Sequence, residues 1–384
     1  MAAQLPIVFL PGVMGSRLYF PASDRYWDPD STWRMLRWAP IPLLRSDDDN
    51  RKEMHASQPA NVVIDPLDDD DFDQEGVSLG WGGVVWSYYG DFLNSLRTLA
   101  LNRKAFAVGY DWRQDIRWLG EFVADKLLAA LEATGAAQIH VVTHSMGGLV
   151  ARAAFLHNPD LVPKVANLVS ICQPVVGAVI LYRRLFTGLQ RGPDGGGGVS
   201  DRAFRLILGN TRAAFVGNMS GQPGPLQLLP SEFFPKNAEN LAWNDAIDAG
   251  TPPGAIYTSL NSPPGLNDPN LDLQADVRTD FKARVQDLMD FLTFLGPPSA
   301  PGPTIPPTWA ICGAAKPTEV RTTFPAGSAT PTVSPDGDTV VPLLSSQALP
   351  LPSDHVFVVQ PLEHATACSD PNVIQLTQTI LSPG

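Results

Sequence analysis

The chain has 384 residues, 44% of them hydrophobic, enough to bury a sizeable interior as one large domain with insertions or as two domains. Its formal net charge of −12 repels phosphate backbones, so nucleic acid is excluded as the expected partner, while a neutral or apolar substrate stays open. Cys172, Cys312 and Cys368 are odd in number, far apart and without C-x-x-C spacing, which argues against a disulfide framework and a zinc site, although Cys368 could pair with either of the others.

The opening "MAAQLPIVFLPG" lacks the basic start, long apolar run and small-residue cleavage site of an export signal, and no stretch reaches the length of a membrane span. As written the sequence reads as cytoplasmic, or as secreted if a leader has been removed. Within that opening, Pro6 to Leu10 is a short apolar run that predicts a buried strand, and "PGVMGS" (11–16) is a glycine turn behind it. Residues 21 to 88 mix aromatics, prolines and the acidic run "LDDDDFDQEG" (67–76), and read as an excursion from the sheet. That run lacks EF-hand ligand spacing and is expected to be a solvated loop rather than a calcium site. Trp81, Trp86, Tyr88 and Tyr89 can be read either as core or as the lining of an apolar acyl pocket.

Strands and helices then alternate. "YGDFLNSLRTLAL" (89–101) has helical apolar spacing, and Lys104 to Val108 reads as a strand. "QDIRWLGEFVADKLLAALEATG" (114–135) is a helix with Gly135 as its C-cap. Gln138 to Thr143 is a strand, "GGLVARAAFLH" (147–157) a helix, and Ala166 to Cys172 a strand. Residues 175 to 305 break the pattern. They are rich in glycine and proline, with "RGPDGGGGVS" (191–200) as a hinge or loop without the lysine of a phosphate loop, yet "TDFKARVQDLMDFLTFL" (279–295) is helical. Strands return at Pro307 to Cys312 and His355 to Val359, and helical spacing at Val373, Ile374 and Ile380. The alternation predicts an α/β fold with a mostly parallel central sheet and helices on both faces. Residues 1–174 and 306–384 would form the core, and 175–305 a cap or lid insertion.

"QIHVVTHSMGG" (138–148) offers strand, turn and helix with Ser145 at the apex, the setting of a nucleophile elbow. Positions two before and two after such a serine must be small. Gly147 satisfies this, while Thr143 stands where glycine is usual. A serine needs a base, and the base an orienting carboxylate, in the chain order serine, acid, histidine. Downstream lie His157, three turns into the helix and expected at the surface, His355 at a strand end, and His364 in the loop past the last strand. Loops beyond the carboxyl ends of strands hold the chemistry of open α/β sheets, so His364 is preferred. His144 is set aside as a base because neighbouring side chains on an elbow point apart. The acid is sought in "SPDGDTVVPLL" (334–344), where Asp338 is preferred and Asp336 stays open. Oxyanion donors are expected at the backbone N–H of Met146, directly after the serine, and at Val13, with Met14 as the alternative.

Together the islands "FLPGVMGSRL", "VGYDWR", "THSMGG", "ICGAAKPTEVRTTF", "DGDTVVPLLS" and "EHATACSD", with a weaker "PLQLLPSEFF", resemble the lecithin:cholesterol acyltransferase-like α/β-hydrolases, which include lysosomal phospholipase A and phospholipid:diacylglycerol acyltransferases. The resemblance implies the α/β-hydrolase fold with Ser145 as nucleophile, Asp338 as acid, His364 as base, Val13 and Met146 as oxyanion donors, and Tyr110 to Arg113 as structural support. It implies no cofactor or metal. Departures are Thr143 and the missing match to the cysteine pair that fastens the lid of secreted animal members. The expected activity is hydrolysis of lipid-like or other apolar carboxylic esters through an acyl-enzyme, with transient contact to a lipid interface. The alternatives are acyl transfer to an alcohol and a non-catalytic ligand-binding relative. Oligomeric state is not legible.

Overall fold

In "IVFL" alternate side chains leave opposite faces of a strand, and both faces are apolar, so the strand needs cover on both sides. The computed structural model describes residues 5–38, 46–64, 81–99, 105–189, 208–209, 211–231, 233–234, 273–298, 305–323 and 330–382. In it β1 (Ile7–Leu10) sends Val8 and Leu10 into one hydrophobic cluster and Ile7 and Phe9 into another. The same holds for β6 (Ile139–His144), with Val141 on one side and Val142 on the other.

These strands belong to a six-stranded sheet with β5 (Ala105–Ala107), β7 (Val165–Ile171), β8 (Thr308–Gly313) and β11 (Val356–Val359), in the order β11-β8-β7-β6-β1-β5, every pair parallel. α4 (Ile116–Thr134) and α5 (Met146–His157) bury Leu119, Val123, Leu127 and Val150 on one face. α3 (Trp86–Leu99) and α9 (Pro371–Leu381) bury Phe92, Leu93, Leu96 and Val373 on the other. The mostly parallel sheet with helices on both faces is as expected. Gly135 caps α4 in the left-handed conformation, φ 62.

Two sets of elements stand outside this sheet. The early excursion folds as β2 (Leu18–Phe20), β3 (Arg25–Trp27) and β4 (Asn61–Val62) with α1 (Thr32–Leu36) and α2 (Asp47–Met54). Arg113, fully buried, locks it down: its guanidinium donates to Asp111 at 2.8 and 2.7 Å and to the carbonyls of His55 and Gln58 at 3.0 Å each. The second set lies between the neighbouring strands β7 and β8 and includes α6 (Val179–Thr187), α7 (Arg212–Ser220) and α8 (Ala275–Leu295). Asp276 of α8 pairs with Arg51 of α2 at 2.8 Å, joining the two sets. The acidic run 67–76 and the glycine-rich stretch 191–200 lie outside the described residues.

A hairpin of β9 (Thr318–Thr323) and β10 (Thr330–Ser334) follows β8. Of the four aromatics read two ways, Trp81 and Tyr89 are core: Trp81 packs on Phe106 and Tyr89 on Phe9. Trp86 and Tyr88 pack against the same cluster as Tyr89. All three cysteines are buried and free, so Cys368 pairs with neither partner. Among the described residues no helix is long and apolar enough to cross a membrane.

Candidate active site

β6 ends at His144 and α5 begins at Met146, leaving Ser145 alone at the turn with φ 54 and ψ −122. A non-glycine residue held there costs about 1–3 kcal/mol and persists only where its surroundings impose it. The Ser145 N–H donates to the Ile171 carbonyl at 2.9 Å, and its own carbonyl accepts from Gly148 at 3.1 Å. The helix then runs directly beneath β1. A Cβ on Gly147 would stand 2.6 Å from the Leu10 carbonyl oxygen and 2.7 Å from that of Pro11, so this position admits no side chain. Thr143, where glycine is usual, is buried and its hydroxyl turns to the Val169 carbonyl at 3.5 Å.

The turn after β1 lies against this serine. A Cβ on Gly12 would come within 3.0 Å of Ser145 Cβ. The Gly15 N–H closes the turn on the Gly12 carbonyl at 3.0 Å, the Tyr110 hydroxyl donates to the Pro11 carbonyl, and the Trp27 indole donates to the Met14 carbonyl at 3.1 Å. Gly12, in this turn, and Met146, the first residue of α5, thus flank Ser145, and Val13 follows Gly12 in the same turn.

Asp338 and His364 arrive from the far end of the chain. Asp338 follows the hairpin, and its Oδ1 accepts from the N–H groups of Val340 at 3.0 Å and Val341 at 2.7 Å. That leaves Oδ2 for His364 Nδ1 at 2.8 Å. His364 opens a short 3-10 turn after β11, and its own N–H donates to the Asp338 carbonyl at 2.7 Å. Its Nε2 lies 2.9 Å from Ser145 Oγ. Ser145, Asp338 and His364 are all buried, the serine only 4% exposed. A hydroxyl, an imidazole and a carboxylate in this line can pass a proton from the hydroxyl to the ring.

The competing residues are elsewhere. His157 is exposed, with Nε2 at 2.8 Å from the Arg117 carbonyl. His355 sits 2.9 Å from the Thr308 carbonyl and stacks on Trp309. Asp336 is exposed and accepts from Ser334 at 3.0 Å. Two residues escaped the sequence reading. His144 does not reach Ser145 Oγ but lies under His364, ring centroids 5.0 Å apart. Cys172, also at positive φ (50), sits beside the acid. Its ligating atom and those of Asp338 and His364 lie within 4.8 Å of one another. Both His364 ring nitrogens already have partners, so a cation there would have to displace Asp338 or Ser145.

Burial alone would raise the Asp338 carboxyl, but the His364 charge, its hydrogen bond and the Val341 and Val340 N–H groups outweigh it and hold the carboxyl below its ordinary range. Burial, and then the neighbouring His364, push His144 down to about 3. An unfolded histidine binds its proton near pH 6.5, so between about 6.5 and 3 the unfolded chain holds more protons than the folded one. Stability contributed by a neutral His144 is therefore present above pH 6.5 and lost as pH falls, by on the order of 5 kcal/mol across the window. Asp338 acts in the same direction below about pH 4. Urea midpoints of the native chain should fall from pH 7 to pH 4, and His144→Gln should flatten that slope by up to one proton. Equal slopes would remove His144 as the cause.

Residues 80–191, which contain the elbow, match the family model of the alpha/beta hydrolase fold. No curated protein matches the sequence. Among solved structures, the Tle4–Tli4 complex aligns with a TM-score of 0.67 at 18% identity, covering 99% of this chain and 98% of that one. The mature form of the Bacillus licheniformis lipase BlEst2 aligns more loosely, with a TM-score of 0.42 at 11% identity over 100% and 94% of the two chains. The parallel sheet, the helices on both faces, the family-model match and the likeness to the Tle4–Tli4 complex establish the α/β-hydrolase fold.

Proposed function

We propose that the chain is a serine esterase that cleaves apolar carboxylic esters. The observation that carries this reading is the continuous line from Asp338 Oδ2 to His364 Nδ1, and from His364 Nε2 to Ser145 Oγ, at 2.8 and 2.9 Å. In this reading Ser145 Oγ attacks the ester carbonyl carbon as His364 takes its proton. The tetrahedral oxyanion rests on the Val13 and Met146 N–H groups. The C–O bond to the alcohol breaks, and the alcohol leaves with the proton from His364. Water, deprotonated by the same ring, then releases the acid and restores the serine. Asp338 keeps the Nδ1 proton in place throughout and steadies the imidazolium.

The substrate class rests on two observations. The net charge of −12 disfavours anionic headgroups as the recognised part. The insertion between β7 and β8 packs on Met146 through Gly224, next to a serine that is almost fully covered, and we read it as a cap, so an apolar acyl chain that displaces cover gains from its own burial. The islands shared with the lecithin:cholesterol acyltransferase-like enzymes support the same centre.

A fluorophosphonate probe tests the reading directly. Peptide mass analysis should find one covalent adduct, on Ser145, and p-nitrophenyl ester hydrolysis should be lost in step with it. Labelling elsewhere, or none, would defeat the proposal. With an alcohol added, free acid should remain the main product; a dominant new ester would assign the acyltransferase chemistry instead.

A further inference from the structure

Tyr89 and His144 have no step in the reaction just described, yet both are buried polar groups beside it. The Gly12 N–H donates to the Tyr89 hydroxyl oxygen at 3.0 Å. That hydroxyl lies 3.0 Å from His144 Nδ1, and His144 Nε2 lies 3.1 Å from the His364 carbonyl oxygen. With both side chains neutral, only one assignment of protons satisfies all three contacts. A carbonyl can only accept, so His144 carries its proton on Nε2. Its Nδ1 is then an acceptor and takes the tyrosine proton, which leaves the phenol oxygen to accept from Gly12. Burial keeps both groups neutral: His144 is driven down to about 3, and Tyr89 is raised well above its ordinary value. An imidazolium would turn the Tyr89–His144 bond round, with Nδ1–H donating to the phenol oxygen.

We infer that the chain Gly12 N–H to Tyr89, Tyr89 to His144, and His144 to the His364 carbonyl is a positioning device that fixes the oxyanion turn and the base-bearing turn in register with Ser145. His144 is the residue directly before the serine, so the device is anchored in the elbow itself. Its links span 77 positions from Gly12 to Tyr89 and 220 from His144 to His364. Consuming the Gly12 N–H also assigns it away from the oxyanion. Tyr89 and His144 touch no reacting atom; they act through Gly12 and the backbone of His364. A neighbouring ring contact, with centroids of Tyr89 and His144 5.7 Å apart and edge-on, holds the two side chains together.

This inference rests on the esterase reading for its kinetic part and stands apart from it in its structural part. The structural part is read by 15N NMR of histidine-labelled full-length protein. His144 should appear as the neutral Nε2–H tautomer from pH 8 to pH 4.5, and Tyr89→Phe should move its Nδ1 resonance. The Nδ1–H tautomer, or titration near pH 6.5, overturns the chain of contacts whatever the activity. The kinetic part compares variants that remain folded. Tyr89→Phe should lower kcat roughly 10- to 100-fold with KM little changed, the signature of misplaced reacting groups rather than lost binding. His144→Gln, which can still reach the His364 carbonyl, should retain more kcat than His144→Asn, which cannot. Wild-type kcat in Tyr89→Phe and His144→Asn together would overturn the positioning role. A protein with the Nε2–H tautomer that hydrolyses no ester would overturn the esterase reading alone.

Discussion

Ser145→Ala should remove essentially all turnover of short nitrophenyl esters, lowering kcat by about a millionfold. What remains, on the order of 10³ to 10⁴ over water, would come from binding and the oxyanion donors. A second substitution separates the hydroxyl from the backbone that presents it. Ser145→Gly lacks the hydroxyl as Ser145→Ala does, but glycine accepts φ 54, ψ −122 without strain. Elsewhere glycine is less favourable than alanine by about 0.5–1 kcal/mol. Here the order should invert, with the glycine variant more stable by about 1–2 kcal/mol. Urea unfolding of the two inactive variants measures it. Retained turnover in Ser145→Ala would end the nucleophile assignment, and an alanine variant more stable than the glycine one would end the account of strain.

Asp338→Asn should cost roughly 10⁴ in kcat while leaving the fold intact. The asparagine oxygen can keep the Val340 and Val341 N–H groups. Its amide then points a donor at His364 Nδ1, and the ring answers by moving its own proton to Nε2, where it faces Ser145 and can no longer accept from it. The control is Asp336→Asn. That carboxylate is exposed and bonded only locally to Ser334, so kcat should stay within about twofold of wild type, as is usual for surface changes away from such features. Steady-state kinetics on both variants decides between the two aspartates, and a reversed pattern would move the acid to residue 336.

The main sheet and the elbow were legible because their causes are local. Apolar runs such as Ile7–Leu10 and Ile139–Val142 show that both faces are covered, and Gly135 ends its own helix through its left-handed φ. What escaped depends on residues remote in the chain. α3 begins at Trp86, three residues before its helical spacing becomes visible, because Asp30 accepts from the N–H groups of Trp86 at 2.6 Å and Ser87 at 2.8 Å across 56 and 57 positions. β9 carries few apolar residues, and its buried Glu319 is matched by Arg183 of α6, 136 positions earlier. The strands of the early excursion, two or three residues each, are too short to show any period. His144 was dismissed as a base by a rule about adjacent side chains. The rule concerns Ser145 and says nothing of Tyr89 or His364, which only the fold brings to that ring.

The order of the sheet bears on how the protein is made. β11 is the outermost strand beside β8, and it follows every other strand of that sheet in the chain. Domains assemble from the N-terminus during translation, at about 5–20 residues per second. A ribosome-bound intermediate can therefore complete β1, β5, β6 and β7, and with them the strained serine, while the segment carrying His364 is still inside the exit tunnel. Such an intermediate holds the Ser145 hydroxyl without the His364 imidazole. In the proposed reading Ser145 gains its base only when residues 356–364 emerge and β11 pairs with β8, which makes assembly of the centre the last event of synthesis.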